Sequence, residues 1–266
     1  MKKLLYEVAY QFLQFTGLAL LPVRVRGGLA KTAWWTLYPW TSYWRGTHEP
    51  ELQKFLEHME DMTGWCCWDL GAHYGLYSIG LAMRTGPSGQ VAAFEPNPVS
   101  YVRLARHVAM NHMPWLRSYR AAVSDHAGTA ELYTYGQTES TTTHLAYEGE
   151  TRQESCRPLN VEIVCLDEMV NRGEIRAPDL IKIDVEGHGH KALAGAKNAI
   201  LKRQPIIVAA LHGSAEAHGI RTILTAIGYE EQRLPWSPVI NNFGDVVFFP
   251  TRKRDVKSED KKNKTP

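Results

Sequence analysis

The stretch WDLGAHYGLYSIGLA, residues 68–82, decides the fold: it reads as a β-strand ending at Asp69, a glycine-punctuated turn and an amphipathic helix. Gly71 and Gly75 stand where a ligand can approach backbone without meeting a Cβ, and the helix N-terminus that follows aims its N–H groups at the same crevice. A dinucleotide fingerprint needs GxGxxG, but His73 and Leu76 fill the later glycine slots, so no pyrophosphate is expected. The turn instead suits a nucleoside without phosphates.

Outward from this turn, the strand QVAAFEP carries Glu95 at its carboxyl end, about 20 residues on, where a carboxylate can accept hydrogen bonds from both ribose hydroxyls. A third strand ends AAVSD, which places Ser124 and Asp125 at the same sheet edge, in reach of an exocyclic adenine amine. Acids at three successive strand ends outweigh the plain alternative of helix caps and turn residues. The strands are predicted at residues 65–70, 90–94, 118–123, 180–184 and 205–211, with helices at 75–84, 98–111 and 190–202. A closing antiparallel pair is predicted at 229–234 and 245–249. This alternation predicts an α/β fold, a mostly parallel sheet with helices on both faces. An insertion at 127–164 interrupts it: a strand-like TAELYTY, a polar loop over 136–157, then NVEIVCL.

The 266 residues, 44% hydrophobic and 22% charged, exclude disordered and collagen-like classes. Residues 1–48 carry six basic groups and one acid, residues 49–250 carry 17 and 24, and residues 251–266 carry seven and three. An acidic body with basic ends offers no continuous positive groove, so no nucleic acid partner is expected. Cys66, Cys67, Cys156 and Cys165 lack zinc or CxxC spacing, which fits a reducing, cytoplasmic setting. Glu7, Gln11 and Gln14 recur at helical spacing through the apolar residues 4–23 and argue against a spanning helix. Further on, Trp34, Trp35, Tyr38, Trp40, Tyr43 and Trp44 crowd into eleven residues. Three readings stand: packing on the main domain or a second copy, peripheral contact with an anionic membrane together with Lys2, Lys3, Arg24, Arg26 and Lys31, and stacking on a sugar.

HEP (48–50), DLGAHYGLYS, FEPNP, AVSD, VCLDEM, IKIDVEG (181–187) and LAGA (193–196), in this order and spacing, resemble the FkbM family of class I S-adenosylmethionine-dependent methyltransferases, over about residues 49–211. The resemblance implies a Rossmann-like seven-stranded sheet with an antiparallel last strand, S-adenosylmethionine as cofactor and S-adenosylhomocysteine as product. It also implies methyl transfer to a hydroxyl of a sugar, glycolipid or natural product. Three parts follow: a basic, aromatic, helical cap (1–48), a methyltransferase domain (49–250) and a basic disordered tail (251–266). The candidate cofactor residues are Asp69, Gly71, Ala72, His73, Gly75 and Ser78; Glu95, Pro96 and Asn97; Ser124 and Asp125; and Asp184.

A methyl on sulfonium is already activated, so the residues after the fourth strand must align an acceptor oxygen and take its proton. IKIDVEGHGHKAL supplies Asp184, Glu186 and His188, with His190 nearby, and His212 follows the fifth strand. Asp184 and Glu186 diverge on a regular strand and share the crevice only if the chain turns after Asp184. Asp184 is the candidate base, base-orienter or contact to the methionine amine. Glu186, His188 and His212 complete the candidate catalytic set. A divalent ion held by these groups is the less favoured reading, because HxH in a glycine-flanked turn is more often exposed or capping. Lys182 reads as a structural cation. FkbM proteins commonly place acids two residues after the glycine of DVEG and two before the fifth-strand histidine, where this chain has Gly189 and Ala210. That departure keeps a catalytically inactive, S-adenosylmethionine-binding scaffold as the alternative. A Rossmann-type reductase is disfavoured by His73.

Overall fold

The structure is a computed structural model that describes residues 20–37, 41–135, 143–145, 156–234 and 244–251. The expectations for residues 1–19, Tyr38, Trp40, most of the polar insertion and the tail from residue 252 lie outside the described residues.

A hairpin of β1 (Pro22–Arg24) and β2 (Trp34–Thr36) leads through a 3-10 turn at Tyr43–Arg45 to α1 (Pro50–His58). Then come β3 (Cys66–Leu70), α2 (Leu76–Thr85), β4 (Gln90–Phe94), α3 (Pro98–Asn111), β5 (Leu116–Tyr119) and β6 (Ala121–Val123). The insertion contributes β7 (Gly128–Tyr135), β8 (Thr143–Leu145) and β9 (Cys156–Val164). The chain closes with α4 (Leu166–Asn171), β10 (Leu180–Ile183), α5 (Gly189–Ala194), α6 (Lys197–Arg203), β11 (Ile206–Leu211), α7 (Ser214–Ala226), β12 (Tyr229–Arg233) and β13 (Gly244–Pro250).

Among the described residues, seven strands form one sheet in the order β12-β13-β11-β10-β3-β4-β5. Neighbours pair parallel except at β13, which runs antiparallel to β11 and β12. The central strands are near-continuous apolar runs because helices cover both faces. Strand alternation sends the vicinal cysteines into different cores: Cys67 joins Val91, Leu180, Val208, α2 and the N-terminal Leu29 and Trp35, whereas Cys66 joins Trp68, Ile181, Ile207 and the helices α4 to α7. After β3 the chain winds outward through β4 and β5, then returns to β10 on the other side of β3. The loops leaving β3 and β10 therefore part, and the crevice opens at their carboxyl ends.

Three elements differ from expectation. The predicted strand 118–123 is divided: β5 stays in the main sheet, and after Arg120 β6 pairs with β9 in a second sheet of order β6-β9-β7-β8. The predicted helix 190–202 is two helices. A Cβ on Gly195 would lie 2.0 Å from the Ser124 carbonyl oxygen, so the chain must pass that strand end closely, and the Asp167 carboxylate starts α6 by accepting the N–H groups of Asn198 and Ala199, both at 2.8 Å. Thirdly, the described part of the predicted helical cap is a β-hairpin, and its Val25, Leu29, Ala30, Ala33 and Trp35 belong to the core of the main sheet.

Candidate active site

At the end of β3, Asp69 is fully buried; its Oδ2 accepts the Ser78 hydroxyl at 2.5 Å and its Oδ1 lies 3.7 Å from Lys182 Nζ. Burial pushes the Asp69 carboxyl up, against the pull of Lys182. Lys182 Nζ lies 3.2 Å from Asp184 Oδ2 and 4.8 Å from the centre of the Tyr77 ring. Burial opposes its charge, yet Asp184, Asp69 and Glu49 hold it firmly as an ammonium. Lys182 is thus the structural cation that links the β3 and β10 ends.

Gly71 has φ 83°, and a Cβ there would lie 1.9 Å from the Asp184 carbonyl oxygen. Gly75 has φ 90°, and its Cβ would meet Leu104 Cδ1 at 2.5 Å. Both glycines are therefore required by the chain's own backbone and packing before any ligand is considered. Between them Ala72 is buried, and the His73 N–H donates to Glu95 Oε2 at 2.7 Å. The Asn97 N–H donates to the other Glu95 oxygen at 2.8 Å, while the Asn97 side chain caps α3, with Pro98 as its first residue. Burial pushes Glu95 up to about 7 despite these two bonds. The His73 ring stacks on Tyr74 and its Nδ1 bonds the Tyr43 hydroxyl at 3.0 Å. Its Nε2 is buried without a hydrogen-bond partner, and burial lowers the imidazole to about 3, so it is neutral.

A cleft of about 270 Å³ lies over these groups. Its lining comes from three parts of the chain: Gly71, His73, Glu95 and Pro96 after β3 and β4, the floor; Asp184, Glu186, His188 and His212 after β10 and β11, one wall; and Tyr43, His48 and Glu49 before α1, another wall. Phe94, Ala121, Val123 and Leu132 add apolar lining. Asp69, Ala72, Gly75, Ser78 and Asn97 are buried and do not line the cleft. Ser124 and Asp125 also lie outside its lining: Ser124 Oγ bonds His188 Nε2 at 3.0 Å, and Asp125 turns outward to His126 at 2.6 Å. The division of the predicted third strand brings Ala121 to Val123 to the cleft in their place.

Beyond β10 the chain turns after Asp184, with Glu186 at φ 41°, so both acids line the one cleft. His212 joins them: Nε2 is 2.7 Å from Asp184 Oδ1 and Nδ1 is 3.7 Å from Glu186 Oε2. Burial disfavours charge on Asp184, but Lys182 and His212 override it and hold the carboxyl well below the usual range. Burial works against His212 as well, yet its hydrogen bond to Asp184 and the surrounding carboxylates push it up to about 9. His188 is neutral, lowered by burial to about 4, and its buried Nδ1 has no hydrogen-bond partner. Among the described residues, no group of three or more His, Cys, Asp or Glu side chains is arranged to hold a metal ion.

Sequence reasoning placed Tyr43 only in the aromatic cluster and assigned no role to His48, Glu49, Glu216 or Asp245. Glu49 accepts the Tyr77 hydroxyl at 2.6 Å and contributes to the cleft wall. Its only sequence signal was the HEP run. Asp245, directly opposite Ala210 on β13, is pushed up to about 6 by burial and by Glu49, and strand pairing alone could have revealed it.

A family model, the methyltransferase FkbM domain, matches residues 69–231. The hexuronic acid methyltransferase AglP of Haloferax volcanii is 26% identical over 165 residues, which cover 59% of this chain and 60% of that protein. The 31-O-demethyl-FK506 methyltransferase FkbM of Streptomyces tacrolimicus is 28% identical over 184 residues, covering 59% of this chain and 70% of its own length. A crystal structure of a methyltransferase FkbM from Methylobacillus flagellatus KT matches with TM-score 0.50 and 16% identity, over 72% of this chain and 44% of that one. The match therefore spans less than two thirds of AglP and less than half of the Methylobacillus chain.

Proposed function

Since the chain belongs to the FkbM methyltransferase family, we propose that it transfers a methyl group from S-adenosylmethionine to a hydroxyl oxygen of a sugar, glycolipid or natural product. The observation that carries this reading is Glu95, a buried carboxylate that lines the cleft and is held by the His73 and Asn97 backbone N–H groups. Two oxygens already fixed by backbone N–H groups retain lone pairs for a pair of ribose hydroxyls. Glu49, Asp184 and Glu186 around the mouth favour a cationic ligand and repel a phosphate-bearing one. The substrates in the relatives' names, a hexuronic acid and 31-O-demethyl-FK506, support a small-molecule acceptor.

When bound, S-adenosylmethionine supplies an electrophilic methyl. The chain's own residues do the rest. Asp184, immobilised by Lys182 and His212, orients the methionine amine and the reaction wall. Glu186 accepts the hydroxyl proton, and the neutral His188, held by Ser124, lines the side of the cleft where the acceptor sits. Asp69, Gly71 and Ser78 hold the turn, and Ser124 with Asp125 fixes His188 from behind. Acids from other elements stand at both slots, outside the cleft lining: Glu216 accepts the Gly189 N–H and Asp245 pairs opposite Ala210, and the cleft itself keeps Asp184 and Glu186. This favours an enzyme over the inactive scaffold. A peripheral contact with anionic membrane is supported by exposed Leu20, Leu21 and Trp34, with the Arg24 guanidinium 3.7 Å from the Trp34 ring centre. No helix of the described residues is long and apolar enough to cross a membrane.

Calorimetric titration with S-adenosylmethionine and NADH tests the cofactor class, and release of S-adenosylhomocysteine with candidate acceptors tests turnover. Glu95→Ala is expected to abolish cofactor binding, and Asp184→Asn to retain most binding while lowering turnover. Unchanged affinity in the first variant would remove Glu95 from the ribose site, and a wild-type rate in the second would remove Asp184 from the mechanism.

A further inference from the structure

Glu216, in the first turn of α7, is 2% exposed and touches neither the floor nor the walls of the cleft. Its Oε1 accepts the N–H of Gly189 at 2.8 Å and its Oε2 accepts the N–H of His212 at 3.2 Å. These amides belong to different loops, one leaving β10 with Glu186 and His188, the other leaving β11 with His212. We infer that Glu216 is a positioning residue for the acceptor mouth: its carboxylate cross-links the two loops and keeps the His212 ring in place as an imidazolium bridging Asp184 and Glu186.

The chemistry of the partners requires a carboxylate here. Both amides are donors, so the bridging group must accept at each end, which an ionised acid does and an amide cannot. A buried carboxylate is costly unless hydrogen-bonded, and these two amides supply that compensation. Room for it depends on Gly189: a Cβ there would lie 2.9 Å from Glu216 Oε1 and 2.8 Å from Ile220 Cδ1. On the cleft side, both ring nitrogens of His212 face carboxylate oxygens. Nε2 is hydrogen-bonded to Asp184 and Nδ1 is in ion-pair range of Glu186, so the doubly protonated ring turns a donor toward each carboxylate, whereas a neutral ring would turn an acceptor toward one of them. The charged groups around the ring are Asp184, Glu186 and Lys182 from the β10 exit, Glu216 from α7 and Asp245 from β13. Carboxylates outnumber the one ammonium. His212 is consequently a clamp at neutral pH rather than the proton acceptor.

The catalytic consequence rests on the methyl-transfer reading; the loop clamp does not. The test uses the full chain, with the His212 ring followed by NMR across pH and identified by its loss in His212→Gln. In the unsubstituted protein His212 is expected to titrate near 9. Glu216→Gln turns an NH2 group against one of the two amides, frees a loop and is expected to lower the His212 midpoint by about one pH unit or more. With an acceptor in hand, kcat should fall about tenfold or more, with S-adenosylhomocysteine affinity within about twofold of the unsubstituted protein. Gly189→Ala displaces the carboxylate without removing it and should lower the midpoint in the same direction. That second variant decides the matter if Glu216→Gln does not fold. A His212 midpoint unmoved in the folded variant overturns the proposal, as does an ordinary midpoint near 6.5 in the unsubstituted protein. If the protein binds no S-adenosylmethionine but the midpoints behave as expected, the methyl-transfer reading fails and the clamp stands.

Discussion

Glu95 is buried and pushed up to about 7, so near neutrality the free protein holds this carboxyl partly protonated. A raised carboxyl pKa means that burial costs stability as pH rises from the ordinary value of 4.5 through about 7. Ribose hydroxyls donate to the ionised form and favour it, so cofactor binding must release a proton wherever Glu95 is still protonated. Affinity for S-adenosylhomocysteine is therefore expected to be level above pH 7 and to weaken below it, by up to about tenfold per pH unit. Calorimetry in two buffers of different ionisation enthalpy reads the released proton. A pH-independent affinity between 5 and 7 would show that the ligand does not engage this carboxylate. The acid itself was legible from its place at a strand end, but its burial was not, because the amides that fix it come from His73 and Asn97 on different turns. The same holds for Gly71. Its spacing pointed to ligand clearance, while the atom that forbids a side chain is the Asp184 carbonyl oxygen, 113 residues away in the chain.

Elements that rest on local rules were read well from sequence, and those that bend around distant backbone were not. The strand at 90–94 and the helix at 98–111 stand where predicted, since strand end and first helical proline are local signals; Asn97 between them, read as a cofactor contact, caps the helix. The split between α5 and α6 depends on the Ser124 carbonyl and the Asp167 cap, contributed by other segments, so an apolar pattern continuous over 190–202 could not disclose it. The β1–β2 hairpin was hidden for a different reason. Its aromatic run has no clean alternation because Trp35 is buried on His107 while Trp34 faces out under Arg24. That outward face carries the membrane proposal at this scale. Trp34→Ala together with Arg24→Glu is expected to reduce sedimentation with vesicles containing anionic phosphatidylserine, and to leave thermal stability nearly unchanged because both side chains are largely outside the core. Equal sedimentation of variant and unsubstituted protein would remove the hairpin as a docking element.

At the scale of the molecule, charge and composition placed a boundary near residue 48, but the core crosses it. Val25, Ala30, Ala33 and Trp35 are at most 3% exposed and share one cluster with Leu52, Leu56 and Ile79. Leu29 fits a notch in α2 that exists because residue 80 is glycine; a Cβ there would lie 2.5 Å from Leu29 Cγ. Thr36 bonds His107 and the Trp34 backbone bonds Asn111, so the hairpin is also tied to α3 by polar contacts. Each large apolar side chain removed from this face forfeits about 1.5–3 kcal/mol, and a domain is stable by only about 5–15 kcal/mol. A chain shortened to begin at Glu49 would strip Leu29 and Trp35 from the sheet, remove Tyr43 from His73, and leave apolar α2 in water. It is expected to lose its cooperative thermal transition and to bind a hydrophobic dye, measured by circular dichroism and fluorescence against the full chain. A transition within a few degrees of the full chain's would restore the boundary that composition implied, and would mean that the cleft wall made by Tyr43 and His48 is an addition to a complete domain instead of a part of its core.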